Sequence, residues 1–127
     1  MHNFTATTGN TFKIALYDSD ATLGASTTAF TTSEEITNTS GTAYTSGGAT
    51  LTSVTPVASS TTALCDFADV SFSSATFTAN GALIYTSSAT NAAVAAIAFG
   101  SDKTATNGTF TIQFPAADAS NAIIRLA

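Results

Sequence analysis

Carboxylates are the residues of this sequence with the greatest capacity for chemistry. Asp18 and Asp20 lie two residues apart, and Asp66 and Asp69 lie three apart. Either pair offers oxygen ligands of the kind that Ca²⁺ binds in loops of β-proteins. Their spacing matches no EF-hand, and aspartates at such positions commonly form turns and keep a surface soluble. We therefore predict turn-forming aspartates and no metal site.

Other reactive residue types are too few for a catalytic centre. His2, at the N-terminus, is the only histidine, and Cys65 is the only cysteine. A Ser-His-Asp triad, a multi-histidine metal site and an internal disulfide are therefore not expected. The pair Gly47-Gly48 lacks the lysine and the strand-to-helix context of a phosphate-binding loop. We predict no enzymatic activity, no catalytic residue and no cofactor.

Composition narrows the range of partners. The net charge is −5, with only three Lys and Arg, and charged residues make up 9% of the chain. Phosphate backbones are bound through clusters of Lys and Arg, so nucleic acid is an unlikely partner for an acidic chain. No apolar run is long enough for a membrane span. The first ten residues have neither the basic nor the apolar region of a secretion signal, so none is predicted.

Strands must position these side chains, because apolar residues alternate with Ser and Thr through much of the chain. The most regular stretch runs from Ala63 to Tyr85. Ala63, Cys65 and Phe67 fall on one face of a first strand, and Val70 and Phe72 fall on one face of a second. We expect Cys65 to be buried, as free cysteines usually are. Asn80-Gly81 is the dipeptide most typical of a tight hairpin turn.

The remaining pattern extends this interpretation to the whole chain. Further strands are predicted at Thr11–Tyr17, Ala49–Thr55, Ala92–Phe99, Thr109–Phe114 and Asn121–Ala127. Pro56 should end the predicted strand Ala49–Thr55, and the loop Ser101–Gly108 should separate two others. About eight short strands joined by turns predict one all-β domain, residues 1–127, built as an antiparallel β-sandwich or a jelly-roll-like barrel.

One long segment lacks this alternation. Ala21 to Ser40 is rich in Thr and Ser, with isolated apolar residues, and we predict a surface excursion there. Ser33-Glu34-Glu35 is the candidate start of a single helical turn. Long irregular segments in compact domains are often functional. This excursion is therefore the first place to expect contacts with a partner.

Four stretches in fixed order carry a resemblance to a known group of proteins. They are HNFTATTGNTFKIALYDSDATLG (2–24), GTAYTSGGATLTSVTP (41–56), DFADVSFSSATFTANGALIY (66–85) and FGSDKTATNGTFTIQFP (99–115), followed by a closing AIIRLA. Together they resemble small β-rich structural proteins of tailed bacteriophages. The resemblance implies a virion component, either a capsid decoration (cement) protein or a tail-associated protein, and it supplies no catalytic residues.

Three roles follow as expectations. The first is a decoration protein that binds the head shell, stabilises it and associates with copies of itself or with other virion proteins. The second is a tail-associated or fibre module that binds a host-surface glycan through exposed Tyr17, Tyr44 and Tyr85. The third is a filament-forming subunit that exchanges a terminal strand, Phe4–Thr7 or Ile123–Leu126. In each case the expected location is the virion.

Overall fold

The computed structural model describes residues 2–5, 8–36, 44–116, 118, 120–121 and 124–126. This part of the chain contains strands and no helix. In chain order the strands are β1 (Phe12–Tyr17), β2 (Ala49–Thr50), β3 (Ser53–Ser59), β4 (Thr62–Phe67), β5 (Val70–Thr86), β6 (Ala92–Ile112) and β7 (Ile124–Leu126). The predicted all-β class is confirmed.

The strands form two antiparallel sheets. The larger has the order β2-β1-β5-β6, and the smaller has the order β3-β4-β7. In the larger sheet Tyr17 of β1 pairs with Gly81 of β5, and Gly81 pairs in turn with Ala98 of β6. This arrangement is consistent with the predicted β-sandwich. It also makes β6 the last strand of its sheet, and no other strand of the described chain pairs along its outer edge.

The main core lies on one face of the larger sheet. Alternate residues of β1 point into it, so that Phe12, Ile14 and Leu16 are almost completely buried. Phe67 of β4 joins the same cluster, and its ring lies 5.6 Å from that of Phe12. Phe4 stacks on Phe12 with ring centroids 4.6 Å apart. The phenylalanines thus connect the two sheets and the N-terminal segment.

Two predicted connections lie inside long strands. Asn80-Gly81, expected to form a hairpin turn, lies within β5, which continues for 17 residues. Gly81 is needed there for close packing between strands, because a Cβ on it would lie 2.9 Å from the Ile97 carbonyl oxygen. The expected loop Ser101–Gly108 lies within β6, which is 21 residues long. The prediction of about eight short strands was therefore wrong in this part of the chain.

Bulges explain how such irregular sequence remains in one strand. The β5–β6 register shifts between Ala79 and Gly81, and the shifted part of β6 contains Gly100 with φ of 79°. A second shift accommodates Asn107, which has φ of 46°. A bulge inserts an extra residue without ending the pairing, so turn-type residues are accepted in mid-strand. In β3, Pro56 likewise lies at a register shift on an edge strand and does not end it.

The predicted inward face of β4 also needs correction. Ala63 is exposed and Cys65 is half-buried, whereas Leu64 and Asp66 on the opposite face are buried. Burial raises the pKa of the Cys65 thiol. Only Phe67 meets the expectation of burial on the predicted face. Period-2 alternation identified the strand, but both of its faces carry apolar residues, and the pattern alone assigned the wrong one to the interior.

Candidate binding cleft

The described part of the predicted surface excursion belongs to a strap, residues 18–36, across the second face of the larger sheet. The rest of the predicted excursion, residues 37–40, lies outside the described residues. The strap leaves β1 at Tyr17 and reaches the outer edge of β6, where Ala29 pairs with Ala92. It then returns to the opposite edge of β1, where Glu35 pairs with Tyr17. The segment is thus anchored at both ends. The helical turn predicted from Ser33 is absent, because these residues form a turn and a β-bridge instead.

A buried carboxylate fastens the returning end of the strap. Glu35 is 8% exposed. Its Oε1 accepts hydrogen bonds from the Tyr44 hydroxyl and from the Gly47 N–H, both at 2.6 Å, and its Oε2 accepts one from the Ser46 hydroxyl at 2.9 Å. The Tyr44 oxygen also accepts the Leu16 N–H at 3.0 Å. We call this group, Glu35, Tyr44, Ser46 and Gly47, the latch.

The turn that supplies the latch requires glycine. Gly47 and Gly48 have φ of 90° and 78°, values that side-chain-bearing residues adopt at a cost. A Cβ on Gly48 would also overlap the backbone of Ile14 in β1. The predicted turn at Gly47-Gly48 is confirmed, and its role is to place a backbone N–H against a carboxylate.

All three tyrosines are buried, contrary to the exposure expected for a glycan-binding module. Tyr17 and Tyr44 have no exposed surface, and Tyr85 is 3% exposed. Desolvation raises the pKa of Tyr17 to about 12 and also raises the pKa of Tyr44 and of Tyr85. The Tyr17 hydroxyl donates to the Thr31 carbonyl at 2.6 Å, and that of Tyr85 donates to the Gly47 carbonyl at 2.7 Å. The Tyr17 and Tyr44 hydroxyls therefore hold the strap on the sheet, and the Tyr85 hydroxyl holds the turn that supplies the latch.

A cleft of about 470 Å³ opens between the outgoing half of the strap and the sheet. Its floor is formed by Gly81, Ala96 and Ala98, which carry little or no side chain. The strap residues 23–25 and Thr27 form the opposite side, where a turn closes with a 3.0 Å hydrogen bond from Thr27 N–H to the Gly24 carbonyl. We call this space the strap cleft. Its volume is within the range of ligand-binding pockets.

One end of the strap cleft is acidic. Asp18 lines the cleft, and its carboxylate groups with those of Asp20 and Glu34, with oxygens within 4.8 Å of one another. Asp18 is half-buried, and the other two are exposed. The predicted pair Asp18 and Asp20 is thus brought together, and Glu34 joins it from the far end of the strap. Acidic side chains often gather in exposed turns, so the cluster alone does not identify a cation.

The second aspartate pair forms no site. Asp66 is 3% exposed, and its Oδ1 accepts the Phe67 N–H at 2.8 Å, while no other described residue bonds to its Oδ2. Its prediction as a solvated turn residue was wrong. Asp69 does act as a loop residue, because its Oδ1 accepts the Phe114 N–H at 2.8 Å. The His2 ring lies beside the stacked Phe4 and Phe12 rings, with its centroid 6.0 Å from each of theirs.

A different surface lies on the other half of the β5–β6 ribbon. There the outward side chains are hydroxyls, and pairs across the two strands bond to each other. Ser71 and Thr111 oxygens are 3.0 Å apart, and those of Thr78 and Thr104 are 2.9 Å apart. The Thr76 hydroxyl accepts the Asn107 N–H at 2.9 Å. We call this surface, Ser71, Thr76, Thr78, Thr104 and Thr111, the hydroxyl face.

Comparisons of the chain with protein-family models, with curated proteins and with solved structures gave no match. The resemblance to phage structural proteins therefore stays a prediction from the sequence. No helix in the described residues is long and apolar enough to cross a membrane.

Sequence reasoning located the strap but missed the latch and the cleft. Glu35 was assigned to a helical turn, because a glutamate beside Glu34 in a Thr-rich segment gives no sign of burial. The cleft had no signal in residue type, because its floor consists of Gly81, Ala96 and Ala98. In the sequence these small residues look like ordinary strand residues, and only the pairing register shows that they lie side by side.

Proposed function

We propose that this protein is a non-enzymatic structural component of a tailed-phage particle, a decoration protein that binds the head shell and stabilises it. The sequence resemblance supports the virion setting. The hydroxyl face carries the rest of the proposal, since it offers an exposed array of hydroxyl groups on two long paired strands. Such a surface suits repeated contacts with a symmetric shell, where many copies together give strong binding from modest single interfaces.

The hydroxyl face is well organised for this role. Its side chains are already oriented by bonds to one another, at 2.9 Å for Thr78 and Thr104, so little conformational freedom is lost on binding. Threonine packs well on a pleated surface and remains compatible with water. None of its five side chains is charged, and the charge beside them is the exposed Asp102 carboxylate, which accepts a hydrogen bond from the Asn80 side chain at 2.8 Å.

Binding to purified heads tests the proposal. Heads from which the protein has been stripped should take it up again in co-sedimentation, and reconstituted heads should break at a higher temperature than stripped ones. Thr78→Arg with Thr104→Arg places two cations on the hydroxyl face and should abolish uptake. Val57→Arg, at a residue 48% exposed on β3, is the matched control and should bind normally. Absence of uptake by stripped heads would contradict the proposal.

The other two roles have less support in the described residues. A fibre module was expected to present Tyr17, Tyr44 and Tyr85 to glycan, and all three are buried. Strand exchange was expected through terminal segments that are occupied within the chain. Phe4 packs on the core, and β7 pairs with β4. The remainder of the two predicted exchange segments, residues 6, 7 and 123, lies outside the described residues.

A further inference from the structure

The strap cleft runs along an unpaired strand edge as well as over a sheet face. It is lined by six consecutive residues, Ala93–Ala98. Neighbouring residues of a strand point to opposite faces, and Val94 and Ile97 pack against the core on the far side. Their presence in the lining means that the cleft reaches the backbone of β6 at its outer edge.

The pairing register shows which peptide groups face that edge. Ser87 N–H donates to the Thr11 carbonyl, so by alternation Gly81 and Leu83 direct their peptide groups toward β1, and Ala82 and Ile84 direct theirs toward β6. The residues of β6 opposite Ala82 and Ile84 are Ile97 and Ala95, which therefore face β5.

Ala96 and Ala98 must then turn their N–H and C=O groups outward into the cleft. Ala93 N–H also points outward and donates to the Thr28 carbonyl of the strap at 2.9 Å, because the register shift between Ile84 and Tyr85 places one extra residue between Ala93 and Ala95. Beyond that point the strap turns away from the edge. Unpaired outward peptide groups on a strand edge are a template for adding another strand.

Two features limit the length of a segment that can pair with this edge of β6. The strap occupies the edge as far as Ala93, and the bulge containing Gly100 interrupts it on the other side. Five or six residues remain, a span of roughly 17–20 Å at about 3.3 Å per residue. The full-length edge strand of a second copy would meet the strap, whereas a short extended segment fits.

The negative charge at one end of the strap cleft and the shape of its floor specify one side chain of the added segment. On an added strand, a side chain that is opposite Ala98 and on the strap face of the sheet would lie over Ala98 and Gly81. It would point toward Asp18, which directly follows β1. The distance from the added strand to β1 is three strand spacings, about 14 Å. An arginine side chain is too short to contact Asp18 across that distance, but it is long and permanently charged, so it extends over the cleft floor and is attracted by the carboxylates at that end. Asp18, Asp20 and Glu34 supply the negative charge at that end.

We propose that the strap cleft binds a short extended segment of a partner protein, which adds antiparallel to β6 at Ala96 and Ala98 and carries an arginine directed at Asp18. The partner's other strap-side residues are small, because Ala96 and Ala98 leave a shallow floor. On the proposed function, the partner is the shell protein and the segment is one of its arms. The antiparallel direction continues the pairing that Ala29 makes with Ala92.

Amide exchange and peptide titration test this proposal on the isolated protein. The Ala96 and Ala98 amides should exchange quickly in the free protein, while those of Ala95 and Ile97 are protected. The probe is an acetylated five-residue peptide, arginine followed by Thr-Ala-Thr-Ala. It should shift the Ala96 and Ala98 amide signals and slow their exchange. A peptide with glutamate in place of arginine should bind roughly tenfold more weakly or worse.

Matched variants separate the backbone and charge contributions. Ala98→Pro removes an outward N–H without removing a bond to β5, so it should abolish peptide binding while the fold is kept, and Ala98→Ser should bind normally. Ala96→Pro provides a second test. Asp18→Asn keeps an oxygen for the Asp20 N–H, which Asp18 now accepts at 2.9 Å, and should lose roughly tenfold in affinity for the arginine peptide only.

Three results would overturn the proposal: no shift at Ala96 and Ala98 with the peptide, normal binding by Ala98→Pro, or perturbation of the cleft by a host glycan and not by the peptide. Binding to phage heads distinguishes a failure of the cleft proposal from a failure of the proposed decoration function. Normal head uptake by Ala98→Pro would refute the cleft proposal and leave decoration standing. Peptide binding without head uptake would refute decoration and leave the cleft proposal standing.

Discussion

The two halves of the β5–β6 ribbon share strands but differ in what covers them. Gly81–Thr86 lies between the main core and the strap, and apolar or aromatic side chains occupy both of its faces. Val70–Ala79 packs one face on the core and exposes the hydroxyl face on the other. The covered half fixes the fold, and the open half presents a surface. A single strand can therefore combine structural and interaction roles when a strap covers only part of it.

A substitution that disrupts the covered half of the ribbon should cause the largest loss of stability. Gly48→Ala forces a side chain into a conformation with φ of 78° and against the Ile14 backbone. We expect a loss of roughly 3–5 kcal/mol in the free energy of unfolding, measured by urea denaturation. Gly24→Ala is the control, because no atom lies within 4 Å of its added Cβ and its φ is not positive, and it should change little. Equal stability of the two variants would contradict the assigned role of Gly48.

Disruption of the latch should cause the second-largest loss of stability. Glu35→Ala leaves the Tyr44 hydroxyl, the Ser46 hydroxyl and the Gly47 N–H without their carboxylate, and we expect a cost of about 2–4 kcal/mol. The neighbouring exposed Glu34 is the natural control, and Glu34→Ala should stay within about 0.5 kcal/mol of the wild type. Thermal or urea unfolding followed by circular dichroism measures both. A Glu35 variant as stable as the Glu34 variant would show that the strap is not held by the latch.

Alkaline titration examines the covered half without mutation. The pKa of Tyr17 is raised to about 12 from 10.0, and those of Tyr44 and Tyr85 are raised too. A raised folded-state pKa gives stability that is complete below pH 10 and is lost as the pH rises toward 12. Tyrosinate absorbance at pH 10 should therefore be well below half of its maximum in the folded protein, and most of it should appear together with unfolding. In urea it should appear near pH 10.

Such a titration also checks the burial directly, because these are the only three tyrosines in the chain. One-third of the full absorbance change near pH 10 under folding conditions would mean that one tyrosine is exposed. That result would remove one of the three hydroxyl groups from the covered half and restore some support for a glycan-binding role.

The sequence pattern predicted the two halves better than it predicted the connections between them. Alternation in the Val70–Ala79 half predicted a half-buried strand, and the more continuous apolar run Ala82–Tyr85 predicted a strand, although its cover on both faces was not predicted. Both features are local. Asn80-Gly81 was misread as a turn because its role, close packing against Ile97, depends on a strand that comes later in the chain.

The candidate sites depended still more on tertiary structure. Asp18 and Asp20 could be paired from sequence, but Glu34 joins them only because the strap returns to β1. The burial of Glu35 and Asp66 was invisible for the same reason, since a carboxylate in a Thr-rich segment ordinarily faces water. The strap cleft is formed by small residues whose alignment is set by pairing register and bulges, neither of which a single sequence specifies.

The smallest expected effect compares two threonines on one strand. Thr86 of the covered half is completely buried, and its hydroxyl lies 3.3 Å from the Ser88 hydroxyl, whereas Thr78 belongs to the hydroxyl face. Thr86→Val should cost about 1 kcal/mol through the lost bond, and Thr78→Val should change stability by less than about 0.5 kcal/mol. Urea denaturation of the two variants side by side measures the difference. If Thr78→Val is the more damaging change, the hydroxyl face is part of what holds the fold together, and its exposure to a partner would no longer be its main role.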